Sequence, residues 1–548
     1  ELEQVKEFLN LLKFQNQDSG QVLNKAYFHR DDRYSPLALA SANGHVEIVK
    51  ILLQLGASVT YRSPAGRTRK GTTPLHEAAE GGHANVVEVL LQGEGADPNL
   101  AIGYMGVTPL YLAAAHGRVA VVEKLLEAGA VNYQKSDPHS VETPLLVACT
   151  YGHDQVVRVL LENNSDNIND SDSAGRTPLF IAVKVRNYAI VRQLLQANAD
   201  VNRTENHFAN TALHEAVKRE RLDLVQELLA RGALLLENHL GETPLLMAIE
   251  KGNLAIVRRI VQARRNQVLL NQTATLTAAD STSTSRGQKC PLHYACGFMN
   301  SINLEMVKLL HELGADVDHR DPACSGATPL LICSRCDRSA CSSGRCKAKV
   351  AEYLIQRGAD VYLPDNYGRT PLHKAAQSGC ESMVRLLLRT RAKHRIDQPD
   401  MNNATPLHFA VMGYSSSGSA PVVELLADKG ADIDHQDNTG MSPLHIACRS
   451  GAADIIQVLL QRGANVNLAM SDGKTPLHVA VEAGHLDAVR LLLQYSDCID
   501  QPDCRGWTPL AVACAHGNAD IVHILMEVHV AGERASLGHI KKLLLHGT

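Results

Sequence analysis

Four cysteines lie close together near the middle of this 548-residue chain and could hold a metal ion. They are Cys333, Cys336, Cys341 and Cys346, so that two, four and four residues separate successive thiols. Four thiolates are a ligand set of tetrahedral Zn²⁺, and a short segment that starts with Cys-x-x-Cys has the reach to supply them. The spacing therefore makes zinc the candidate cofactor, although nothing else in the sequence requires a cofactor.

Plain thiols are the alternative interpretation of these four residues. Cys333 occupies the position where the motif puts a small packing residue, and Cys149, Cys296, Cys448 and Cys514 stand one position later in their own repeats. The spacing also resembles the zinc knuckle of nucleic-acid-binding proteins, with Cys where those usually have His. The intervening residues here are Ser, Arg, Asp, Ala and Gly rather than residues that stack on bases. Both interpretations stay open from the sequence.

Histidine is the other residue type with chemical potential, and the chain has 25 of them. Seven are the fourth residue of Thr-Pro-Leu-His or a close variant: His76, His214, His293, His373, His408, His445 and His478. The sequence has no nucleophile-elbow, phosphate-loop, zinc-protease or kinase motif, and its carboxylates form no plausible catalytic pair. We therefore predict that the protein is not an enzyme.

A Thr-Pro-Leu triplet or a close variant recurs along nearly the whole chain and sets the positions of these residues. The copies start at Ser35, Thr73, Thr108, Thr143, Thr177, Thr211, Thr243, Cys290, Thr328, Thr370, Thr405, Ser442, Thr475 and Thr508. A period near 33 residues with Thr-Pro-Leu-His-x-Ala is the signature of ankyrin repeats. The chain therefore resembles the ankyrin-repeat family, with about 14 repeats, and in that family the histidine forms hydrogen bonds between repeats.

Each part of the repeat has a physical reason. Thr caps the first helix and Pro fits its first turn, while a glycine such as Gly117 ends that helix in a left-handed turn. The spacing Val-Val-x-x-Leu-Leu gives the second helix a buried stripe, and Gly-Ala-Asp leads into a hairpin-like finger. The sequence thus predicts an all-α repeat solenoid, an ankyrin-repeat stack of helix pairs with hairpin-like fingers.

Breaks in the period predict the domain organisation. We expect an N-terminal capping helical segment at 1–34, whose helical pattern runs from Glu1 to Arg30. Repeats 1–7 follow at 35–262, a Ser/Thr-rich insertion loop at 263–289, repeats 8–14 at 290–530 and a C-terminal capping helix at 531–548. The second set contains the Cys-rich insertion at 333–346 and a Ser/Gly loop at 413–419. The insertion at 263–289 is expected to divide the repeats into two stacks.

Composition narrows the class of protein. The chain is 45% hydrophobic and 20% charged, which is too apolar for a disordered chain. A net charge of −4 provides no global attraction to nucleic acid or membrane, and no apolar run reaches the length of a membrane-spanning helix. The number of cysteines, 13, is odd, and many of them lie in core-like positions, which suits a reducing compartment. We therefore expect a cytoplasmic protein, with the nucleus as the alternative.

The resemblance also implies where a partner binds, because finger tips and first helices usually line a concave groove in ankyrin proteins. Tyr, Trp, Met and Arg at such surface positions are typical of binding hot spots. In the first half these positions hold Tyr104, Met105, His116, Tyr151, Arg176, His207, Phe208 and Arg219. In the second half they hold Tyr367, Arg369, Met401, Met412, Met441, Arg449, Trp507 and His516.

The leading hypothesis is a scaffold or adaptor that binds a peptide or protein partner along this groove. It would act as a monomer without a membrane segment, as the recognition module of a larger protein such as a ubiquitin-ligase substrate receptor. The alternative is a zinc-dependent nucleic-acid-binding protein that uses the Cys-rich loop. That loop lies in a basic middle region, where 22 Lys/Arg face 13 Asp/Glu between Lys251 and Asp400. Metal content and salt-dependent RNA binding separate the two hypotheses.

Overall fold

A computed structural model gives the fold of the protein. It describes residues 27–29, 32–62, 71–103, 106–131, 142–263, 270, 290–297, 303–335, 347–390, 395–413, 419–496 and 499–530. Helices come in pairs along this part of the chain, and each pair follows one Thr-Pro-Leu copy. We call each pair a repeat, numbered 1 to 14, and the segment before its first helix the finger of that repeat.

The first helices of the repeats are short. They are α1 Pro36–Ala42, α3 Pro74–Gly81, α5 Pro109–Ala115, α7 Pro144–Tyr151, α9 Pro178–Lys184, α11 Ala212–Lys218, α13 Pro244–Glu250, α15 Pro291–Gly297, α17 Pro329–Ser334, α19 Pro371–Ser378, α21 Pro406–Met412, α23 Pro443–Ser450, α25 Pro476–Glu482 and α27 Pro509–Ala515. Their shortness requires tertiary packing, because isolated helices of this length are not stable in water.

The second helices are slightly longer. They are α2 Val46–Gln54, α4 Ala84–Leu91, α6 Val119–Glu127, α8 Asp154–Asn163, α10 Tyr188–Gln196, α12 Leu222–Ala230, α14 Leu254–Ala263, α16 Asn303–Glu312, α18 Ala348–Gln356, α20 Glu381–Arg389, α22 Ala420–Asp428, α24 Ala453–Gln461, α26 Leu486–Leu493 and α28, residues 519–530. The all-helical stack of ankyrin type predicted from the period is confirmed.

The ends of the first helices follow the predicted signals. In α7 the Thr143 hydroxyl accepts a hydrogen bond from the backbone N–H of Leu146 at 3.2 Å, and Pro144 opens the first turn. Gly152 ends the helix with φ +80°, a left-handed conformation that L-residues with a side chain rarely adopt. In repeat 1 the glycine is also needed for space, because a Cβ on Gly44 would lie 2.5 Å from the His83 ring.

The second helices are amphipathic. On α8, Val156, Val157 and Leu160 are fully buried, whereas Arg158 and Glu162 on the opposite side are exposed. Burying such a stripe on every helix gives each repeat an apolar layer shared with the next repeat, so the core extends along the stack.

Fingers contact their neighbours through backbone hydrogen bonds at their tips, an arrangement we call the finger ladder. In repeats 10 to 14 every tip joins the preceding one. The bonds are Asn366 N to Ser325 O at 2.8 Å, Met401 N to Tyr367 O at 3.0 Å, Asn438 N to Asn402 O at 2.9 Å, Ser471 N to Thr439 O at 3.4 Å and Cys504 N to Asp472 O at 3.0 Å. Repeats 5 to 7 show the same bond, from Asn206 N to Ala174 O and from His239 N to Phe208 O.

The first finger corrects one prediction. Tyr27–His29 and Asp32–Tyr34 form strands β1 and β2, which pair antiparallel, so the helical pattern proposed up to Arg30 is wrong over this stretch. The physical reason is local composition, since Tyr and Phe favour strands and the hairpin leads directly into the Ser35 cap of α1. The rest of the proposed N-terminal cap, at 1–26, lies outside the described residues.

The chain divides into two compact units. Unit 1 comprises 1–248 and 255–264, and unit 2 comprises 249–254 and 265–548. Four predicted segments lie mostly outside the described residues: the Ser/Thr-rich insertion at 263–289, the Cys-rich insertion at 333–346, the Ser/Gly loop at 413–419 and the C-terminal capping helix at 531–548. Their assignments stay predictions.

Candidate partner-binding surface

The histidines of Thr-Pro-Leu-His join consecutive repeats, as predicted. In repeat 11, His408 Nδ1 lies 2.9 Å from Thr405 Oγ1, and Nε2 lies 3.1 Å from the carbonyl oxygen of Met441 in the next finger. A carbonyl only accepts, so Nε2 carries the proton and Nδ1 accepts from the Thr405 hydroxyl and backbone N–H. Equivalent bonds from Nε2 hold His76, His214, His293, His373, His445 and His478.

Burial keeps these rings neutral. Desolvation lowers the pKa of His76, His214, His373 and His445 to about 4 in each case. An unprotonated ring suits the hydrogen-bond pattern, because Nδ1 must accept. Each of these histidines therefore serves as a structural link between repeats and does not act as an exposed acid–base group.

Fingers and first helices share one face of the stack. The Tyr111 hydroxyl on α5 donates to Glu142 Oε2 in the next finger at 3.0 Å. Arg369 in the finger of repeat 10 lies over the ring of Phe409 on α21, 5.3 Å from its centroid. We call this surface the finger–helix face, and it is the surface that the alignment of the repeats assigned to partner binding.

In unit 1 most of the predicted contact residues that are described lie exposed on or beside this face. Tyr151 ends α7 with 65% of its surface exposed, and Phe208 at a finger tip is 43% exposed. The Phe208 and His207 rings contact each other edge to face at 4.4 Å, and His116 caps α5 as an exposed residue. Tyr104 and Met105, which the alignment also chose, lie outside the described residues.

Two arginines of unit 1 are fixed by buried acids. Arg176 Nε donates to Asp172 Oδ2 at 2.6 Å, and Arg219 Nε donates to Glu215 Oε1 at 2.7 Å. About a third of each arginine side chain remains exposed, at 35% and 33%. Because their geometry is set by these bonds, the two guanidinium groups are preorganised and lose little entropy when a partner binds.

In unit 2 the predicted residues form a cluster across repeats 10 and 11. Arg369 lies over the ring of Tyr367 at 5.1 Å as well as over Phe409, so the cation stacks against two aromatic rings. Tyr367 is 52% exposed, and Met401 beside it on the ladder is 69% exposed. Met412 lies at the end of α21, 37% exposed.

Met441 is the exception. The alignment placed it on the binding surface, but it is only 8% exposed, so this prediction is wrong. Its backbone N–H donates to Asp437 Oδ1 at 2.9 Å, and its carbonyl accepts from His408. Arg449 and His516 are exposed, and Trp507 is 44% exposed while its carbonyl accepts from His478.

Phe409, which follows Thr-Pro-Leu closely, is a packing residue: it is 3% exposed, and Arg369 lies over its ring. Alignment missed a group in repeats 8 and 9, where Cys290, His293 and Asp321 each place a ligand atom within 4.8 Å of the others. The sequence signal for that group is a Cys in the place of the helix-capping Thr.

The Cys-rich segment is only partly described. Cys333 is fully buried on α17. The thiol of Cys296, in the preceding repeat, is hydrogen-bonded to the Cys333 thiol, and both cysteines are free. Cys336, Cys341 and Cys346 lie outside the described residues, so the four-thiolate zinc site stays a prediction.

Comparison with known proteins fits this architecture. A family model described as "Ankyrin repeats (3 copies)" matches residues 2–102, 61–137, 110–205, 203–272, 292–400, 339–437, 392–470 and 467–534. These ranges cover most of the chain. The protein belongs to the ankyrin-repeat family. Repeats of this family form protein–protein interaction modules, and this ankyrin protein is such a module.

Individual relatives match parts of the chain. Inversin of Canis lupus familiaris is 36% identical over 120 residues, 22% of this chain and 10% of inversin. Human transient receptor potential cation channel subfamily A member 1 is 28% identical over 200 residues, 35% of this chain and 15% of the channel. The probable 26S proteasome regulatory subunit p28 of Saccharomyces cerevisiae is 30% identical over 158 residues, 29% of this chain and 62% of p28.

The ankyrin chain thus covers less than two thirds of the length of each of these relatives. Among solved structures, the human ASB11 ankyrin repeat domain is 28% identical, with a TM-score of 0.36. That match covers 42% of this chain and 98% of the ASB11 domain. Over the described residues, the helices lack the combined length and hydropathy needed to cross a lipid bilayer.

Proposed function

We propose that this ankyrin protein is a scaffold or adaptor that holds an extended peptide or a protein segment along the finger–helix face. The observation that carries the proposal is that each unit exposes aromatic or thioether side chains on its own finger–helix face. Tyr151, Tyr367 and Met401 each leave more than half of their surface in water. Such residues are common at the centres of protein interfaces, where a partner covers them.

The backbone beneath these side chains supports the same proposal. Asp365 Oδ1 accepts from the backbone N–H groups of Tyr367 and Arg369, at 3.0 and 2.9 Å, and fixes the turn that presents both side chains. The finger ladder then fixes each tip against the next. A surface that is ordered before binding loses less entropy on association, so a modest number of contacts suffices for affinity.

We also propose that the protein serves a larger assembly as its recognition module, with a ubiquitin-ligase substrate receptor as the specific case. The likeness to p28, named as a probable regulatory subunit of the 26S proteasome, supports the role in a larger assembly, and the substrate-receptor case is the form of that role which the capture experiment below tests. Over the described residues, no observation favours the alternative of a zinc-dependent nucleic-acid-binding protein.

Affinity capture with paired variants tests the scaffold proposal. One variant carries Tyr151→Ala and Phe208→Ala in unit 1, and another carries Tyr367→Ala and Met401→Ala in unit 2. Each exposed hot-spot residue contributes roughly 1–2 kcal/mol to binding, so each double variant is expected to weaken capture of its partner by more than about tenfold. Captured proteins are identified by mass spectrometry, and their affinities are then measured with the purified partner.

The control removes exposed residues from second helices, with Arg158→Ala and Glu162→Ala on α8. These side chains form an exposed ion pair on the outside of unit 1. We expect the control to capture the same proteins as the unmodified chain. Equal loss with the control and the face variants, or unchanged capture by both face variants, would contradict the proposal. Capture of ligase subunits would support the assembly role, and salt-sensitive RNA as the dominant ligand would favour the alternative.

A further inference from the structure

Repeat 8 differs from the other histidine-containing repeats at the cap of its first helix. In those repeats a Thr or Ser hydroxyl lies 2.7–2.9 Å from the histidine Nδ1. In repeat 8 the cap residue is Cys290, and its histidine is His293. The hydroxyl that should pair with Nδ1 is replaced by a thiol.

The change of cap residue leaves a buried nitrogen without a partner. The backbone N–H of Cys290 donates to Asp321 Oδ2 at 3.1 Å, whereas the equivalent N–H of Thr405 donates to its histidine Nδ1. His293 is 1% exposed, and its Nδ1 has no hydrogen-bond partner. An unsatisfied polar atom at such depth destabilises the folded protein, so its presence calls for a ligand.

The state of the His293 ring is set by its other nitrogen. Nε2 lies 2.8 Å from the carbonyl oxygen of Ala327, which can only accept, so Nε2 carries the proton. Nδ1 therefore presents a lone pair to the interior. Metal-binding histidines are commonly oriented in this way, with one ring N–H donated to a carbonyl and the other nitrogen on the metal.

Two further ligand atoms meet this lone pair. Cys290 is 1% exposed and Asp321 is fully buried, and one ligand atom of each lies within 4.8 Å of the other and of His293. Ligands of tetrahedral Zn²⁺ lie roughly 3.4 Å from one another at bond lengths of 2.0–2.3 Å, so small side-chain movements close the site. Cys324, half-buried at the end of the 3₁₀ turn Pro322–Cys324, interacts electrostatically with Cys290 but is not one of the three grouped ligands.

We propose that Cys290, His293 and Asp321 bind a Zn²⁺ ion that joins repeat 8 to the finger of repeat 9. Thiolate, imidazole and carboxylate together are a ligand set that zinc accepts, while calcium and magnesium prefer oxygen alone. Cys290 gives up its thiol proton to solvent as the sulfur binds the ion. The site is separate from the segment Cys333–Cys346, and it replaces the hydroxyl–imidazole link of the other repeats with a metal link.

The test uses the full chain and a variant that should fold well. Cys290→Thr restores the cap residue found in repeats such as repeat 11, with a hydroxyl for His293 Nδ1. All proteins in the comparison also carry Cys341→Ser and Cys346→Ser, so that the Cys-rich loop does not contribute a metal ion. Cys448→Ala is the matched control, since Cys448 is a fully buried cysteine of unit 2 in the ordinary packing position.

Each protein is stripped with a chelator under reducing conditions, titrated with Co²⁺ and then with Zn²⁺, and desalted for elemental analysis. We expect one Co²⁺ per chain in the reference protein and in Cys448→Ala, with thiolate charge-transfer and tetrahedral d–d absorption that Zn²⁺ displaces. We expect Cys290→Thr to lose this ion while keeping the same helical circular dichroism. Zn²⁺ should raise the melting temperature of the reference protein and leave that of Cys290→Thr unchanged.

Two results would overturn the proposal. One is a reference protein that binds neither ion at micromolar free metal. The other is a Cys290→Thr protein that retains one ion with unchanged absorption, since the metal would then lie elsewhere in the chain.

Discussion

Units 1 and 2 share one fold but fill the same position of the repeat differently. The fourth residue of the Thr-Pro-Leu motif is histidine in two of seven repeats of unit 1 and in five of seven repeats of unit 2. In unit 1 it is often apolar, as at Leu146 and Phe180, and the capping Thr then accepts only from the backbone. The comparison teaches that the fourth position of the motif can be filled either by an apolar side chain that packs or by a histidine that forms buried hydrogen bonds.

The two solutions differ in their dependence on pH. A buried neutral histidine has a lower pKa in the folded protein than the ordinary value of 6.5 in the unfolded chain. Its contribution to stability is therefore complete above pH 6.5 and is lost as the pH falls toward about 4. Leu146 and Phe180 do not titrate, so the repeats that contain them have no such loss.

The largest expected effect is acid unfolding that begins in unit 2. Five histidines of unit 2 (His293, His373, His408, His445 and His478) have a lowered pKa because of burial, against two in unit 1. Because unit 2 has more of these buried histidines than unit 1, its free energy of unfolding should fall further than that of unit 1 as the pH drops from 6.5 toward 4. Hydrogen exchange read out by mass spectrometry at pH 7 and pH 5 assigns the loss to each unit. Equal loss of protection in both would refute the comparison.

A single substitution should convert the histidine arrangement of unit 2 into the apolar arrangement of unit 1. His408→Leu removes the bonds to Thr405 and Met441, and at pH 7 it should lower the free energy of unfolding by about 1–3 kcal/mol. Near pH 4 the cost should vanish or reverse, because the variant has no ring to protonate. Denaturant unfolding at both pH values measures the crossover. Leu146→Met, an apolar exchange at the same position in unit 1, should show no crossover.

The finger ladder can be broken by one methyl group. A Cβ on Gly440 would lie 2.4 Å from the backbone N of Ser471, whereas a Cβ on Gly430 would meet nothing within 4 Å. Both residues have a left-handed φ, so both alanine variants carry about 1 kcal/mol of conformational strain. We expect Gly440→Ala to cost about 1–2 kcal/mol more than Gly430→Ala, because a finger must move. Similar melting temperatures for the two variants would show that the ladder contributes little.

The smallest effect concerns arginines after the second helices. Arg462 in unit 2 pairs with two carboxylates, Glu424 at 2.8 Å and Asp428, whereas Arg231 in unit 1 donates to the carbonyl oxygen of Leu195 at 2.9 Å and has one longer ion pair, 3.9 Å from Glu227. Arg462→Ala should cost less than about 1 kcal/mol, and the cost should shrink in high salt, because surface ion pairs are screened. The cost of Arg231→Ala should change less with salt. Unfolding curves of both variants at low and high ionic strength measure these costs. If the two costs respond equally to salt, the proposed difference between the units is refuted.

The helix pairs were predictable because each depends on local signals. A capping Thr, a Pro and a terminal Gly stand within ten residues of one another, as at Thr143, Pro144 and Gly152, and apolar spacing defines the second helix. The bonds from Nε2 of the histidines were predictable only from the family, since their acceptors lie in the next repeat. The β1–β2 hairpin was not predicted, because the apolar spacing before it continues into Tyr27 and Phe28 and is also compatible with a helix.

Exposure on the finger–helix face was only partly predictable. Alignment gave the correct side for Tyr151 and Tyr367 but not for Met441. Met441 and Trp507 stand at the same finger position and make the same backbone bonds, yet they are 8% and 44% exposed, so the position in the repeat alone does not fix burial. The group at Cys290, His293 and Asp321 was hidden for another reason. Its third member lies one finger away, and only the unpaired Nδ1 of His293 reveals that the three belong together.

The histidine links also bear on how quickly the chain can fold. Each bond from an Nε2 reaches a carbonyl only 28 to 34 residues further along, as for His214 to Glu242 and His293 to Ala327. The loop that closes when a new repeat docks is therefore equally short at residue 76 and at residue 478, whatever the total length of the chain. Folding can begin in any neighbouring pair and spread in both directions, and each repeat can dock as soon as it leaves the ribosome.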